Sequence, residues 1–261
     1  MLLESGLKCR DKRKGIIREV TLRFPFMGRR AVDRHPLLLQ NDKVFKKFEM
    51  NRPLPSYDFV AFDTELTGLN PAVDEIVSIA GIRIRNLHIL VEDSFYSYAK
   101  PKIEEHTLGT FVHRITPDEL RKAPSLTEVL ESFLNFCADS VLIGHHVYID
   151  MAFLGNAMKR TLGGMMRNPV MDCLQLAMCY RNNHKVAPGY QDIMDARSDP
   201  YYNLSTLCKS YCLPAFPQHD ALQDALQTAY LFIFLVTKMG GPDLETFEEL
   251  YRLGCLPSSC W

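Results

Sequence analysis

Phe59-Val60-Ala61-Phe62-Asp63-Thr64-Glu65-Leu66-Thr67-Gly68-Leu69 decides how the rest of the chain is read. Four apolar residues run into an acid, which is the pattern of a strand buried on both faces. Residues two apart on a strand share a face, so Asp63 and Glu65 point the same way. Their Cα atoms stand about 7 Å apart. Two such carboxylates can converge on metal ions ~3.5–4 Å from each other, as two-metal phosphoryl chemistry requires. Hard oxygen ligands indicate Mg²⁺ or Mn²⁺. The spacing alone is not selective, because Asp243-Leu244-Glu245 repeats it. That second pair follows Gly240-Gly241-Pro242 at a helix start, where acids offset the positive end of the helix dipole. Context therefore selects Asp63 and Glu65.

Working outward, Glu75 to Arg85 and Ile89 to Ala99 follow at hairpin spacing, the former with the Ile/Val alternation of a half-buried strand. Thr116-Pro117-Asp118-Glu119 starts a helical region, and Ser125 to Cys137 repeats apolar residues at helical intervals. Val141 to Gly144 is a short apolar strand, and Ile149 to Leu162 returns to helical periodicity. Val170 and Met171 make a last strand, with Asp172 as N-cap of a helix from Leu174 to Tyr180. The polar stretch from Arg181 to Tyr202 reads as a loop or partly ordered insertion. Leu204 to Tyr211, Asp220 to Lys238 and Leu244 to Leu253 complete the chain as helices. Strands first, then helices alternating with short buried strands, give an α/β class: a mixed five-stranded sheet flanked by helices.

The 261 residues are 47% hydrophobic and 23% charged, a globular composition that excludes fibrous and wholly disordered classes. No apolar run approaches the ~20 residues of a membrane-spanning helix. The first thirty residues lack the apolar block of a secretory signal, so a cytoplasmic location is expected. The net charge of −1 hides an asymmetry: residues 1–56 carry 14 Lys/Arg and 6 Asp/Glu, whereas residues 57–261 carry 16 and 25. The prolines of Arg52-Pro53-Leu54-Pro55 mark a boundary, giving a basic N-terminal extension (1–56), a main domain (57–239) and a C-terminal helical tail (240–261). The extension suits either phosphate backbones or a protein partner. The eight cysteines include no Cys-x-x-Cys pair and read as reduced thiols.

Two divalent ions need more oxygen ligands than one strand supplies. Asp150 lies six residues after Gly144, where a strand gives way to a helix, and its carboxylate can point back to the strand's carboxyl end. The third region is Gln218-His219-Asp220-Ala221-Leu222-Gln223-Asp224-Ala225, at the entrance to the long helix. His-x4-Asp spacing recurs at His88/Asp93, His113/Asp118 and His145/Asp150. Placement singles out His219/Asp224: the His stands in a Pro-flanked loop, and the Asp sits on a helix rich in Ala and Leu. A histidine there is suited to take a proton from a metal-bound water.

Taken together, Asp63, Glu65, Asp150, His219 and Asp224 resemble the signature of the DEDDh 3′→5′ exonucleases on a ribonuclease H-like fold. The likeness runs from about Asp58 to Val236. Asp63 to Leu69, Gly144 to Leu154 and His219 to Ala225 are similar to the three principal motifs. His113-Arg114-Ile115-Thr116 and Asp172 to Ala177 are similar to two lesser ones. Within the family the likeness is to the proofreading epsilon subunit of bacterial DNA polymerase III and its stand-alone relatives. His146 stands where the family commonly has Asn, Ile149 where it has Phe, and Arg114 where it has a small residue. The resemblance implies a metal-dependent enzyme that releases nucleoside 5′-monophosphates from the 3′ end of a single strand. The four acids would hold two Mg²⁺ or Mn²⁺ ions, His219 would act as general base, and Thr67, Leu69 and His113 would contact the terminal nucleotide. DNA is the expected substrate. An exoribonuclease of the same fold and a non-catalytic nucleic-acid-binding module are the alternatives.

Overall fold

A computed structural model describes residues 32–102, 114–183, 186–217, 219–240 and 245–256, and the structural unit that contains them begins at Val32. Its centre is β1 (Asp58–Leu66), flanked by β2 (Ile76–Arg85) and β3 (His88–Tyr98) on one side and by β4 (Val141–Gly144) and β5 (Val170–Asp172) on the other. The five strands lie in the order β3-β2-β1-β4-β5. The hairpin side is antiparallel, with Asp63 opposite Ala80 and Glu65 opposite Ser78. β4 runs parallel to β1, and β5 parallel to β4. The mixed five-stranded sheet read from the sequence is thus observed, with the carboxyl ends of β1, β4 and β5 at one edge.

Alternation along β1 divides the core. Phe59 and Ala61 join the cluster beneath α8 (Ala221–Met239), where Phe59 and Phe232 sit with ring centroids 5.0 Å apart. Val60 and Phe62 face the opposite layer, where Phe62 meets Phe133 of α3 (Leu126–Cys137) at 5.7 Å. A strand buried on both faces needs no polar side in its interior, which explains the continuous apolar run. The same alternation puts Asp63 and Glu65 on the α8 face and Thr64 on the other. The remaining helices described are α1 (Pro36–Phe45), α2 (Pro117–Lys122), α4 (Tyr148–Thr161), α5 (Cys173–Asn182), α6 (Tyr190–Ser198), α7 (Leu204–Ser210) and α9 (Phe247–Gly254).

The fold departs from the sequence reading in two places. Residues 36–56, assigned to the basic extension, pack on the main unit. Leu38 of α1 is buried, and Asn41 donates to Asn168 Oδ1 (2.7 Å) while accepting from the Arg167 N–H (2.6 Å). Residues 247–254, assigned to the tail, close the same region: Phe247 packs against Phe48 and Tyr57, and Pro53 bridges to Thr246. Leu38 is the one buried apolar residue of α1 and Phe48 stands among charged residues, whereas Phe247 shares an apolar face with Leu250 and Leu253 that marks a helix but not where it docks. The second departure is α6, inside the stretch read as a loop. Only Ile193 and Ala196 of this polar helix are buried, too few for an apolar face to register.

No helix among the described residues is long and apolar enough to cross a membrane. Cys137, Cys173, Cys179, Cys208, Cys212 and Cys255 are free thiols, as expected from their spacing.

Candidate active site

The edge formed by the carboxyl ends of the parallel strands gathers the acids. Oxygens of Asp63, Glu65 and Asp224 all lie within 4.8 Å of one another. Asp63 and Glu65 come from the end of β1, and Asp224 from the first turn of α8. Asp220 caps that helix, accepting the Leu222 and Gln223 N–H groups at 3.0 and 3.1 Å, which fixes the rotation of the turn that presents Asp224.

Asp150 lies beside this triad, anchored from the opposite face of β1. Its Oδ1 accepts the Thr64 N–H (3.1 Å) and the Thr64 hydroxyl (2.6 Å). Asp150 is delivered by a tight turn after β4. A Cβ on Gly144 would collide with the Val147 side chain, so only glycine lets the chain fold back here. His146 adopts a left-handed φ of 54° and donates its N–H to Asp172 Oδ1 at 3.0 Å. Asp172 serves a second donor, the Leu174 N–H, as the expected N-cap of α5.

Crowding and burial shape the electrostatics. Desolvation pushes the Asp63 carboxyl well above its ordinary range, and the charges of Asp150, Asp224, Glu65 and Asp220 push it further in the same direction. Glu65 rises to about 8, through burial first and the charges of Asp224, Asp220 and Asp150 second. Burial raises Asp150 to about 7, against the lowering effect of its Thr64 hydrogen bonds. Asp224 is raised by burial too, opposed by the His219 N–H bond and the His219 charge. Every influence acting on Asp63 is repulsive to a second negative charge. A set of carboxylate oxygens this close and this short of compensation is the donor set that a hard divalent cation fits.

The other expected contacts fall out differently. His219 has a left-handed φ of 65°, donates its backbone N–H to Asp224 Oδ2 at 3.0 Å, and is exposed. The Thr67 hydroxyl is engaged within its own loop, donating to Asp74 Oδ1 (3.3 Å) and accepting the Glu75 N–H (2.9 Å). Leu69, at the tip of that loop, is 78% exposed. His113 and Asp243 lie outside the described residues. Thr64 and Asp172 shape the site without having been singled out for it. The position of Thr64 between two acids is a signal in hindsight, because alternation sends it to the opposite face, where Asp150 arrives. Asp172 read as a helix cap and as the start of a lesser motif, while its bond to His146, made across the sheet edge, left no signal.

The mixed five-stranded sheet, with acids converging at the carboxyl end of its central strand, is that of a ribonuclease H-like fold. A family model described as Exonuclease (RNase_T) matches residues 60–232. The chain belongs to this exonuclease family. It is 31% identical over 193 residues to the PolC-type DNA polymerase III of Caldanaerobacter subterraneus subsp. tengcongensis, an alignment covering 74% of this chain and 12% of that protein. The chain thus spans about an eighth of the polymerase relative it matches. Among solved structures it is similar to the nuclease domain of 3′hExo, a DEDDh family member bound to rAMP, with a TM-score of 0.58, 15% identity, and coverage of 72% of this chain and 95% of that one. It is also similar to Exonuclease X in complex with 5′-overhanging duplex DNA, with a TM-score of 0.52, 20% identity, and coverage of 74% and 99%. At these identities the two structures establish the fold.

Proposed function

We propose that this chain is a metal-dependent exonuclease that removes nucleoside 5′-monophosphates from the 3′ end of single-stranded nucleic acid, DNA being the leading substrate. The observation that carries the reading is the convergence of Asp63, Glu65 and Asp224 oxygens within 4.8 Å, with Asp150 tied to the intervening Thr64. Asp63, Glu65, Asp150 and Asp224 would hold two Mg²⁺ or Mn²⁺ ions. When bound, these supply positive charge for the attacking and leaving oxygens of the phosphodiester. His219 is the general base. Its backbone bond to Asp224 keeps the loop against the acid cluster, and its exposed side chain is free to take a proton from the nucleophilic water. Leu69 offers an exposed apolar side chain to the terminal base, and His113 a contact to its phosphate or sugar. Thr67 acts in this scheme by stiffening the Leu69 loop.

An exoribonuclease reading is retained because one structural neighbour is a nuclease domain bound to rAMP. Differently labelled DNA and RNA strands in one reaction with Mg²⁺ test the choice: faster loss of DNA supports the leading reading, faster loss of RNA the alternative.

Residues 1–31 hold 9 Lys/Arg against 3 acids. We assign them to nucleic-acid contact or to docking on a protein such as a polymerase, in a cytoplasmic setting. Because residues 36–56 pack on the main unit, the informative deletion is 1–31. A phosphate-binding arm, once removed, flattens the slope of log affinity against log salt.

A further inference from the structure

The turn that delivers Asp150 is gripped from outside by the polar segment between α5 and α7. His145 is half-buried, and its Nε2–H donates to the Tyr202 carbonyl at 2.7 Å. Burial lowers the His145 pKa to about 3, so the ring is a neutral donor on this side. The next residue, His146, is held in its left-handed conformation by the bond to Asp172 Oδ1. Two residues on, Tyr148 opens α4, and Arg197 of α6 lies flat over it with its guanidinium carbon 3.4 Å from the ring centroid.

Arg197 also acts on the other end of the turn. Asp172 is fully buried, and burial lifts its pKa to about 6 while the Arg197 charge works against that rise. The same charge disfavours a proton on His146. One guanidinium therefore packs on residue 148, while its charge acts on the carboxylate that fastens residue 146, at the two ends of the turn that precedes Asp150.

We propose that Arg197 is a positioning residue for the exonuclease reaction: stacked on Tyr148 at the start of α4, it fixes residues 146–150 so that the Asp150 carboxylate meets Asp63. The inference rests on the reading of Asp150 as a metal-holding group. Left-handed backbone at a residue with a Cβ is costly and persists only where the surroundings enforce it. The Asp172 bond enforces it, and the arginine offsets the burial of that carboxylate. A neutral side chain of equal bulk would fill the space over Tyr148 without doing so. The position lies in a segment whose sequence gives no hint of a link to the acids.

The test uses the full chain with two readouts: the rise in Tm on adding MnCl₂ without substrate, and kcat and KM on a 5′-labelled single strand with Mg²⁺. Arg197→Leu is expected to lose more than half of the Mn²⁺-induced rise and to lower kcat about 10–100-fold, the range found when groups supporting metal ligands are removed, with KM within about twofold of wild type. Arg197→Lys, which keeps the charge but not the plane, is expected to fall between. If Arg197→Leu shows no cooperative unfolding transition, Arg197→Lys carries the test. An unchanged metal-induced rise with unchanged kcat overturns the inference. So does an increase in KM alone, which would make Arg197 a substrate contact. Asp63→Ala, run alongside, separates the two levels: if it too keeps both the metal response and the activity, the reading of the acid cluster has failed. If it loses both while Arg197→Leu does not, only the role of Arg197 has failed.

Discussion

Asp150 and Thr64, 86 residues apart in the chain, are joined by two hydrogen bonds, with the Thr64 hydroxyl and N–H donating to one carboxylate oxygen at 2.6 and 3.1 Å. The bond ties the turn after β4 to the strand that carries Asp63 and Glu65. Because Oδ1 is engaged, only Oδ2 of Asp150 is left to face the other acids. Thr64→Val, which keeps shape and removes the hydroxyl, is expected to lower kcat by about tenfold with little change in KM. Steady-state kinetics on a labelled single strand checks this; unchanged kcat would show that the hydroxyl does not position Asp150.

Loss of a carboxylate from the converging set should be far more severe. Asp63→Ala and Asp224→Ala are expected to lower turnover by at least ~10³-fold while leaving the far-ultraviolet circular dichroism unchanged. Glu245→Ala is the matched control, since this exposed residue stands just before α9 and uses its N–H to meet the Glu249 side chain. Its activity should stay at the wild-type level.

Crowded acids without a cation oppose the fold, and the sign follows from their raised pKa values. A carboxyl whose pKa is higher folded than unfolded binds its proton more tightly in the folded state. Its stabilising effect is therefore full below the ordinary carboxylate range and is lost as pH rises through the folded values, about 7 for Asp150 and about 8 for Glu65. In EDTA the Tm should fall as pH climbs from about 5 to 8, and Asp63→Asn should raise the Tm at pH 8 while abolishing activity. A metal-free Tm that is flat over this window contradicts the prediction.

Metal binding must then displace protons. At pH 7 the observed calorimetric enthalpy of Mn²⁺ binding should vary with the ionisation enthalpy of the buffer, and the dependence should shrink above pH 9, where Glu65 and Asp150 are already ionised. Buffer-independent enthalpies at pH 7 would show that the acids titrate in their ordinary range.

His219→Ala should lower kcat by about 10²–10⁴-fold and recover part of it as pH rises, because hydroxide replaces the missing base. The pH–rate profile is the measurement. A loss that stays constant at every pH would assign the His219 side chain a structural part, because the substitution leaves the backbone N–H that meets Asp224 in place.

Much of this arrangement was legible in the sequence because strand geometry is simple. Phe59 to Phe62 signalled a strand buried on both faces, and alternation alone aimed Asp63 and Glu65 together. The long helix announced itself through its run of Ala and Leu after a Pro-flanked loop, and with it came Asp224. What stayed hidden depends on contacts between distant segments. The bond from Thr64 to Asp150 and the stack of Arg197 on Tyr148 leave no periodic trace. α6 contributes only Ile193 and Ala196 to the core, so its sequence reads as loop. Leu38 and Phe48 bring residues 36–56 onto the main unit as scattered contacts, and the face of Phe247, Leu250 and Leu253 marks a helix without revealing that it packs there.

The central claim is that Asp63, Glu65, Asp150 and Asp224 hold divalent cations for hydrolysis at a 3′ end, and a single-stranded DNA labelled at its 3′ nucleotide tests it most directly. With Mg²⁺, wild-type protein should release the label at once as a nucleoside 5′-monophosphate, EDTA should stop the release, and Asp63→Ala should not show it. Release that continues in EDTA, or label that stays on long fragments while the 5′ end is shortened, would contradict the account.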